Sequence, residues 1–231
     1  MSLLALLACI PPNLVDTAAT ADTSDSTLRG ALSFRFPLLE RELFYQTTGV
    51  DHDPAEYEPA SAEAVICTNY DGRAFPWCYD GHHGSDYLLF GAFDAMDAGS
   101  ATIVAAAPGE VIEVEDGHYD RCHATAEGVD CDGYEMIANK VVIQHESGHT
   151  TSYYHMMSGS PAVAVGDHVE CGDVLGKVGS SGNSSAPHLH FELEDAAGTV
   201  IDPYAGEFSQ PETWWVSQGG PEEFPQSSCA D

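Results

Sequence analysis

The sequence predicts an all-β protein, an antiparallel β-sandwich or partly open barrel. Three observations carry this. From residue 86 onward the chain reads as a series of short strand-like segments, apolar residues either alternating with polar ones or forming brief runs. Turn dipeptides separate them, among them Pro108-Gly109, Ser147-Gly148, Gly166-Asp167 and Gly182-Asn183. No convincing amphipathic helix intervenes, and strands that follow one another without helices bury their apolar faces sheet on sheet.

In chain order, residues 1–9, MSLLALLAC, look like part of an export signal. The apolar run is shorter than a usual signal core and lacks basic residues before it, which suggests a truncated or misassigned start. Leu6-Leu7-Ala8-Cys9 resembles a bacterial lipobox, with Leu where a small residue is usual. Two readings stay open, membrane attachment through a lipidated Cys9 and the remnant of an ordinary signal. Residues 10–30 are rich in Ala, Thr, Ser and Asp and poor in large apolar residues, the composition of a disordered tether. The leader is assigned to 1–32 and a folded domain to 33–231, order beginning near SFRFPLL at 33–39.

Residues 51–64 are acidic and contain proline, so a surface loop is expected, with Asp51-His52-Asp53 solvated and not metal-binding. The candidate strands are 86–93, 101–107, 110–116, 136–146, 149–157, 168–179 and 187–195. Residues 117–133 interrupt this pattern and read as a surface insertion stapled at its base by Cys122 and Cys131. The tail from Gln210, with Trp214-Trp215, is expected to pack over one end of the sheet.

At 231 residues the chain is long enough to bury a substantial core. Against 37 Asp and Glu stand 7 Lys and Arg, a formal net charge of −30. Nucleic acids and anionic membrane surfaces are bound through clustered Lys and Arg, so the composition argues against both as partners. The acidic residues are spread along the chain, as on a solvated acidic surface. No segment approaches the roughly 20 apolar residues that span a bilayer.

Of the seven cysteines, removing Cys9 leaves an even set, Cys67, Cys78, Cys122, Cys131, Cys171 and Cys229, consistent with disulfides in an oxidising compartment. None forms a CxxC pair, so zinc fingers and thioredoxin-like redox motifs lack support. Many connectivities are open to six cysteines. The two local pairs, Cys67 with Cys78 and Cys122 with Cys131, are favoured, leaving Cys171 for Cys229.

The chemistry-bearing residues lie in two stretches. In SAPHLHFEL, 185–193, an extended strand sends Leu189, Phe191 and Leu193 to one face and His188 with His190 to the other. In GHHGSDYLL, 81–89, His82 and Asp86 are four residues apart and share a face if extended, whereas His83 points away. His82, Asp86 and one histidine of the HLH pair would supply three protein ligands and leave the fourth tetrahedral position to water, the pattern of a catalytic zinc site. HExxH is absent, so no glutamate of that motif serves as base, and histidine is the natural substitute near neutral pH.

His82-x3-Asp86 followed far downstream by His188-x-His190 resembles the lysostaphin/LytM-type family of zinc metallopeptidases, enzymes of bacterial cell-wall peptidoglycan. IVAAAPGEVIEV, NKVVIQHESGHTTSYYHM and VAVGDHVECGDVLGKVGSSGNSSAPHLHFEL extend the likeness over about residues 34–205, leaving 206–231 as a C-terminal extension. The resemblance implies a fold of the LytM type and His82, Asp86 and His190 as ligands of one Zn2+ per chain. It also implies His188 and His155 as catalytic histidines that move protons or stabilise the oxyanion. Tyr79 and Tyr154 are candidate donors to the tetrahedral intermediate. The other histidines, His52, His83, His118, His123, His145, His149 and His168, are read as surface or packing residues, with His83 the one rival to His82.

The expected function is therefore an exported zinc metalloendopeptidase acting on peptidoglycan peptides, in the cell envelope or secreted, and a monomer. Two alternatives accompany it: a non-catalytic LytM-like wall-binding protein or activator of another hydrolase, and a secreted protease acting on Gly-rich proteins. The acidic surface and the lack of a basic or repeat wall-binding module depart from what such enzymes usually carry.

Overall fold

The computed structural model describes residues 32–58, 63–220 and 223–230. The expectations for the leader and for Cys9 fall outside the described residues. Among the described residues the strands are β1 (Phe44–Thr48), β2 (Ser85–Leu89), β3 (Thr102–Val104), β4 (Gly109–Glu115), β5 (His123–Thr125), β6 (Gly128–Asp130), β7 (Lys140–Gln144), β8 (Thr150–Tyr154), β9 (His168–Val169), β10 (Val174–Lys177), β11 (His188–Glu194) and β12 (Val200–Ile201), with one α-helix, α1 (Ala92–Asp97), and a short 3-10 helix at Arg41–Leu43.

The main sheet runs β1-β2-β11-β8-β7-β4-β9, with β12 on β11, and all its pairings are antiparallel. A second sheet pairs β3 with β10, and the chain at 34–38 joins it through a bridge from Leu38 to Ile103. Phe34 in turn bridges Trp215. Both sheets feed one core: Phe36, Ile103 and Leu175 meet Tyr87, Val141, Tyr153, Leu189 and Phe191. The antiparallel all-β architecture read from the sequence is the one observed.

The strand-by-strand reading needs correction where backbone chemistry overrides apolar pattern. The segment 86–93 ends as a strand at Leu89; Gly91, at φ 82°, turns the chain into α1, a six-residue helix too short to show a period and buried chiefly through Met96. The segment 168–179 divides into β9 and β10, because Gly172 at φ 91° and the Asp173 N–H donating to the Glu170 carbonyl make a turn between them. Asn139 delays the strand expected from 136: its side-chain amide donates to the carbonyls of His118 and Met156. The strand expected through 157 stops at Tyr154, where His155 takes φ 63°. β1 was not expected. The loop at 51–64 is not simply solvated either, since His52 Nε2 lies 2.9 Å from the carboxylate of the buried Asp202.

The disulfides are Cys67–Cys78, Cys122–Cys131 and Cys171–Cys229, the favoured pairing. The 117–133 insertion is the β5–β6 hairpin closed by the second of them. Trp214 and Trp215 do more than cover an end of the sheet: both are buried in the core, Trp215 with its ring 5.5 Å from Phe191 and Trp214 stacked 6.2 Å from Phe34. Aromatic side chains of this size are held inside because each removes a large apolar surface from water.

His145 is buried against Phe34, its Nδ1–H donating to the Pro108 carbonyl at 2.7 Å and its Nε2 lying 3.0 Å from the Thr151 hydroxyl. Burial pushes its pKa down to about 4, partly opposed by the Pro108 bond.

Two predictions follow from the core. Replacing both Cys171 and Cys229 by Ser is expected to cost about 4 kcal/mol in the chain-entropy picture, measured by denaturant unfolding. Because His145 binds its proton more weakly folded than unfolded, its contribution is complete above pH about 6.5 and is lost as pH falls through about 4. At most about 3 kcal/mol is at stake. Thermal unfolding across this range should therefore show a flatter pH dependence for His145→Gln than for wild type.

Candidate active site

The site is built on the face of the main sheet opposite the core. On β11, Leu189, Phe191 and Leu193 are buried inside, while His188, His190 and Glu192 take the other face. The β2–β11 register sets Asp86 opposite His190, and the β8–β11 register sets Tyr154 on the other side of His190. His82 arrives from the loop before β2. His155 follows β8, its left-handed backbone turning the ring so that Nδ1–H donates to the Ser181 carbonyl at 2.7 Å.

Three side chains converge. His82 Nε2 is 3.2 Å from His190 Nδ1 and 3.2 Å from the Asp86 carboxylate, and His190 Nδ1 is 2.9 Å from Asp86 Oδ1. Each imidazole is held from behind. The His82 Nδ1–H donates to the Gly49 carbonyl at 2.7 Å, and His190 Nε2 lies 3.2 Å from Glu192 Oε2. Such partners fix which nitrogen faces inward. Two imidazole nitrogens and a carboxylate whose donor atoms lie within 4.8 Å of one another suit a first-row divalent cation, zinc in particular.

The electrostatics agree with that fit. Burial lowers the His190 pKa, but its hydrogen bonds to Asp86 and Glu192 outweigh it and push it up to about 9. Burial raises the Asp86 carboxyl, yet His82, His188 and His190 around it hold it well below the usual carboxylate range. The carboxylates of Asp86 and Glu192, one on each ring nitrogen of His190, make this a place that favours positive charge.

Beside it, His188 Nδ1–H donates to the Ala186 carbonyl at 2.8 Å, with the Ser184 hydroxyl at 3.1 Å, and its Nε2 is 3.6 Å from Asp86. The His155 and His188 rings are 4.5 Å apart. Burial lowers both pKa values, that of His155 well below the usual range with help from His188 and His190. Both rings are therefore neutral at neutral pH, with the proton on Nδ1 and Nε2 unprotonated.

A cleft of about 470 Å³ opens over Asp86, His155, His188 and His190. Phe75, Pro76 and Tyr79 contribute to its lining, and so does Val129 of the disulfide-closed hairpin. Tyr79 lies with its ring 4.5 Å from His82, and Tyr154 with its ring 5.6 Å from His190. Burial raises both phenols, so both remain protonated donors.

All five sequence-predicted site residues are thus brought together. His83 is exposed and outside the cluster, and among the rest His118 pairs with Glu115. Three contributors were missed. Gly49 acts through its carbonyl and leaves no side-chain signal. Glu192 was visible in the period-two pattern, two residues beyond His190. Gly84 is the third: a Cβ there would lie 2.6 Å from His190 Nε2 and 2.7 Å from the Phe191 carbonyl oxygen, so only glycine lets the His190 ring lie against this backbone.

The sequence model of Peptidase family M23 matches residues 82–203, from the first histidine of the cluster to just beyond β12. The chain belongs to peptidase family M23. Its M23 domain is of the metallopeptidase class that the motifs implied. Curated relatives include the DD-carboxypeptidase/endopeptidase Mpg of Neisseria meningitidis, 38% identical over 74 residues, 32% of this chain and 16% of Mpg. Lysostaphin of Staphylococcus simulans is 41% identical over 51 residues, 22% of this chain and 10% of lysostaphin. The match thus spans a small part of each relative. Among solved structures, a zinc-containing peptidase from Vibrio cholerae aligns with TM-score 0.47 and 22% identity over 74% of this chain and 39% of that one.

The close approach at Gly84 yields a test that needs no metal. Gly84→Ala is expected to lower stability by about 1–3 kcal/mol through overpacking against His190, read by thermal unfolding in chelator.

Proposed function

We propose that this chain is an exported zinc metalloendopeptidase that hydrolyses peptide bonds of bacterial peptidoglycan, in cross-links or stem peptides. One observation carries the reading: His82 Nε2, the Asp86 carboxylate and His190 Nδ1 converge beneath a cleft that also holds two neutral histidines. In this reading His82, Asp86 and His190 hold one Zn2+ per chain. Bound there, zinc would supply Lewis acidity and a water made nucleophilic near neutral pH.

The protein's own groups do the rest. His188 and His155 present unprotonated Nε2 atoms because backbone carbonyls hold their Nδ1 protons. A proton taken at Nε2 makes the ring a donor, able to steady the developing oxyanion or deliver the proton to the departing amine. Tyr79 and Tyr154 keep their phenolic protons, and in this reading Tyr79, which lines the cleft, is a further donor. Glu192, paired with the His190 Nε2, keeps that ring fixed while this happens.

The substrate assignment is supported by relatives whose names include DD-carboxypeptidase/endopeptidase and glycyl-glycine endopeptidase. Export is supported by three disulfides in a chain of this size, since such bridges persist in oxidising compartments. Among the described residues no helix is long and apolar enough to cross a membrane. Lipidation at Cys9 would hold the enzyme at the membrane; a cleaved signal would release it. The catalytic unit is assigned to residues 33–231, acting as a monomer.

The expected outcome is one zinc per wild-type chain by elemental analysis, lost in His82→Ala, Asp86→Ala and His190→Ala. His155→Ala and His188→Ala should keep the metal and slow turnover by about a hundredfold or more. Digestion of purified peptidoglycan with mass analysis of the products reports the bond cut. Full zinc occupancy in His190→Ala would overturn the ligand assignment, and undigested peptidoglycan the substrate.

A further inference from the structure

Asp51, Cys67 and Cys78 carry potential ligand atoms within 4.8 Å of one another, a grouping that imitates a second metal site. The geometry gives it another use. Cys67 and Cys78 are bonded to each other, and the Asp51 carboxylate is fully engaged. Its Oδ1 accepts from the backbone N–H of Asp53 at 2.9 Å and of Thr68 at 3.1 Å, and its Oδ2 accepts from that of Gly81 at 3.1 Å. These amides belong to three separate stretches: the loop of Asp51 itself, the residue after Cys67 and the residue before His82.

The same loop reaches His82 through its backbone. The Asp51 N–H donates to the His82 carbonyl at 2.8 Å, and two residues earlier the Gly49 carbonyl accepts the His82 Nδ1 proton at 2.7 Å. Gly49 is held in turn, its N–H donating to the carbonyl of Trp77, the neighbour of Cys78, at 2.8 Å. Followed round, the contacts close a ring that runs from Gly49 to Trp77, across the disulfide to Thr68, through the Asp51 carboxylate to Gly81 and His82, and back to Gly49. One covalent bridge and a set of hydrogen bonds thus fix the carbonyl that sets the His82 tautomer and ring angle.

We propose that Asp51 is a positioning residue for His82 and that the Cys67–Cys78 loop is the frame through which it acts. The inference rests on the reading of His82 as a zinc ligand. Losing the carboxylate releases the amides of Thr68 and Gly81, and losing the bridge releases Trp77; in both cases the Gly49 carbonyl moves and Nε2 turns away from Asp86 and His190. The Cys171–Cys229 bridge closes a longer loop, at a sequence separation of 58 against 11, and has no place in this ring. Both bridges should contribute to stability, whereas metal affinity should respond to the Cys67–Cys78 bridge alone.

The test measures zinc affinity of the full chain by competition with a chromophoric chelator, with near-ultraviolet circular dichroism confirming that each variant is folded. Asp51→Ala and the Cys67→Ser/Cys78→Ser pair are expected to bind zinc about 10–100-fold more weakly than wild type. Asp51→Asn, which keeps one carbonyl oxygen for two of the three amides, should fall between them and wild type. The Cys171→Ser/Cys229→Ser pair should melt at a lower temperature yet bind zinc as wild type does. Wild-type affinity in both Asp51→Ala and Asp51→Asn overturns the proposal, and so does an equal loss in the Cys171→Ser/Cys229→Ser control. A wild-type chain with no measurable zinc affinity overturns the ligand reading along with it, which distinguishes that failure from the failure of the positioning role alone.

Discussion

The register between β2 and β11 is the constraint on which the rest of this structure depends. It sets Asp86 directly opposite His190 and keeps Leu189, Phe191 and Leu193 in the core on the other side. Because side chains alternate along a strand, slipping the pairing by one residue would turn the histidines into the core and the leucines into the cleft. The apolar contacts that stabilise the sandwich and the polar contacts that assemble the site are therefore the same choice made once. Neither set can be shifted without the other, and this is why a cluster of buried charge and imidazole is tolerated in the middle of a sheet.

Much of the site was legible because it is written with a period of two. HLHFEL declares its faces without help, and Asp86 follows from spacing to His82 once β2 is extended. The backbone contributors were not legible. Gly49 works through a carbonyl that every residue possesses, and the left-handed turn at His155 has no firm composition signal, since residues other than glycine take positive φ only uncommonly even though histidine does so more often than most. Gly84 stood in plain view between His82 and Asp86, but its reason lies in the His190 ring from a distant part of the sequence.

The fold was legible at the level of class and less so at the level of boundaries. Apolar runs such as 101–107 and 168–179 contain strand residues, but hydrogen bonding decides where each strand stops, and that depends on the partner strand. The segment DYLLFGAF shows the same lesson: its last residues continue the apolar pattern into a turn and a short helix because Gly91 permits the reversal. The cysteine pairing came through intact, since the two local pairs left one choice.

The seating of Phe34 beside both tryptophans places a segment from near residue 34 against one from near residue 215, with Cys229 sealed to Cys171 alongside. These contacts join stretches far apart in the described chain, so they form only after both stretches have been made. On a ribosome or in a translocation channel, this part of the core would stay unfinished until the segment around residues 214–229 has emerged. Assembly of the cleft is thereby deferred in time, so that the synthesising cell meets this polypeptide first as a pliable thread and only afterwards as a cutting tool.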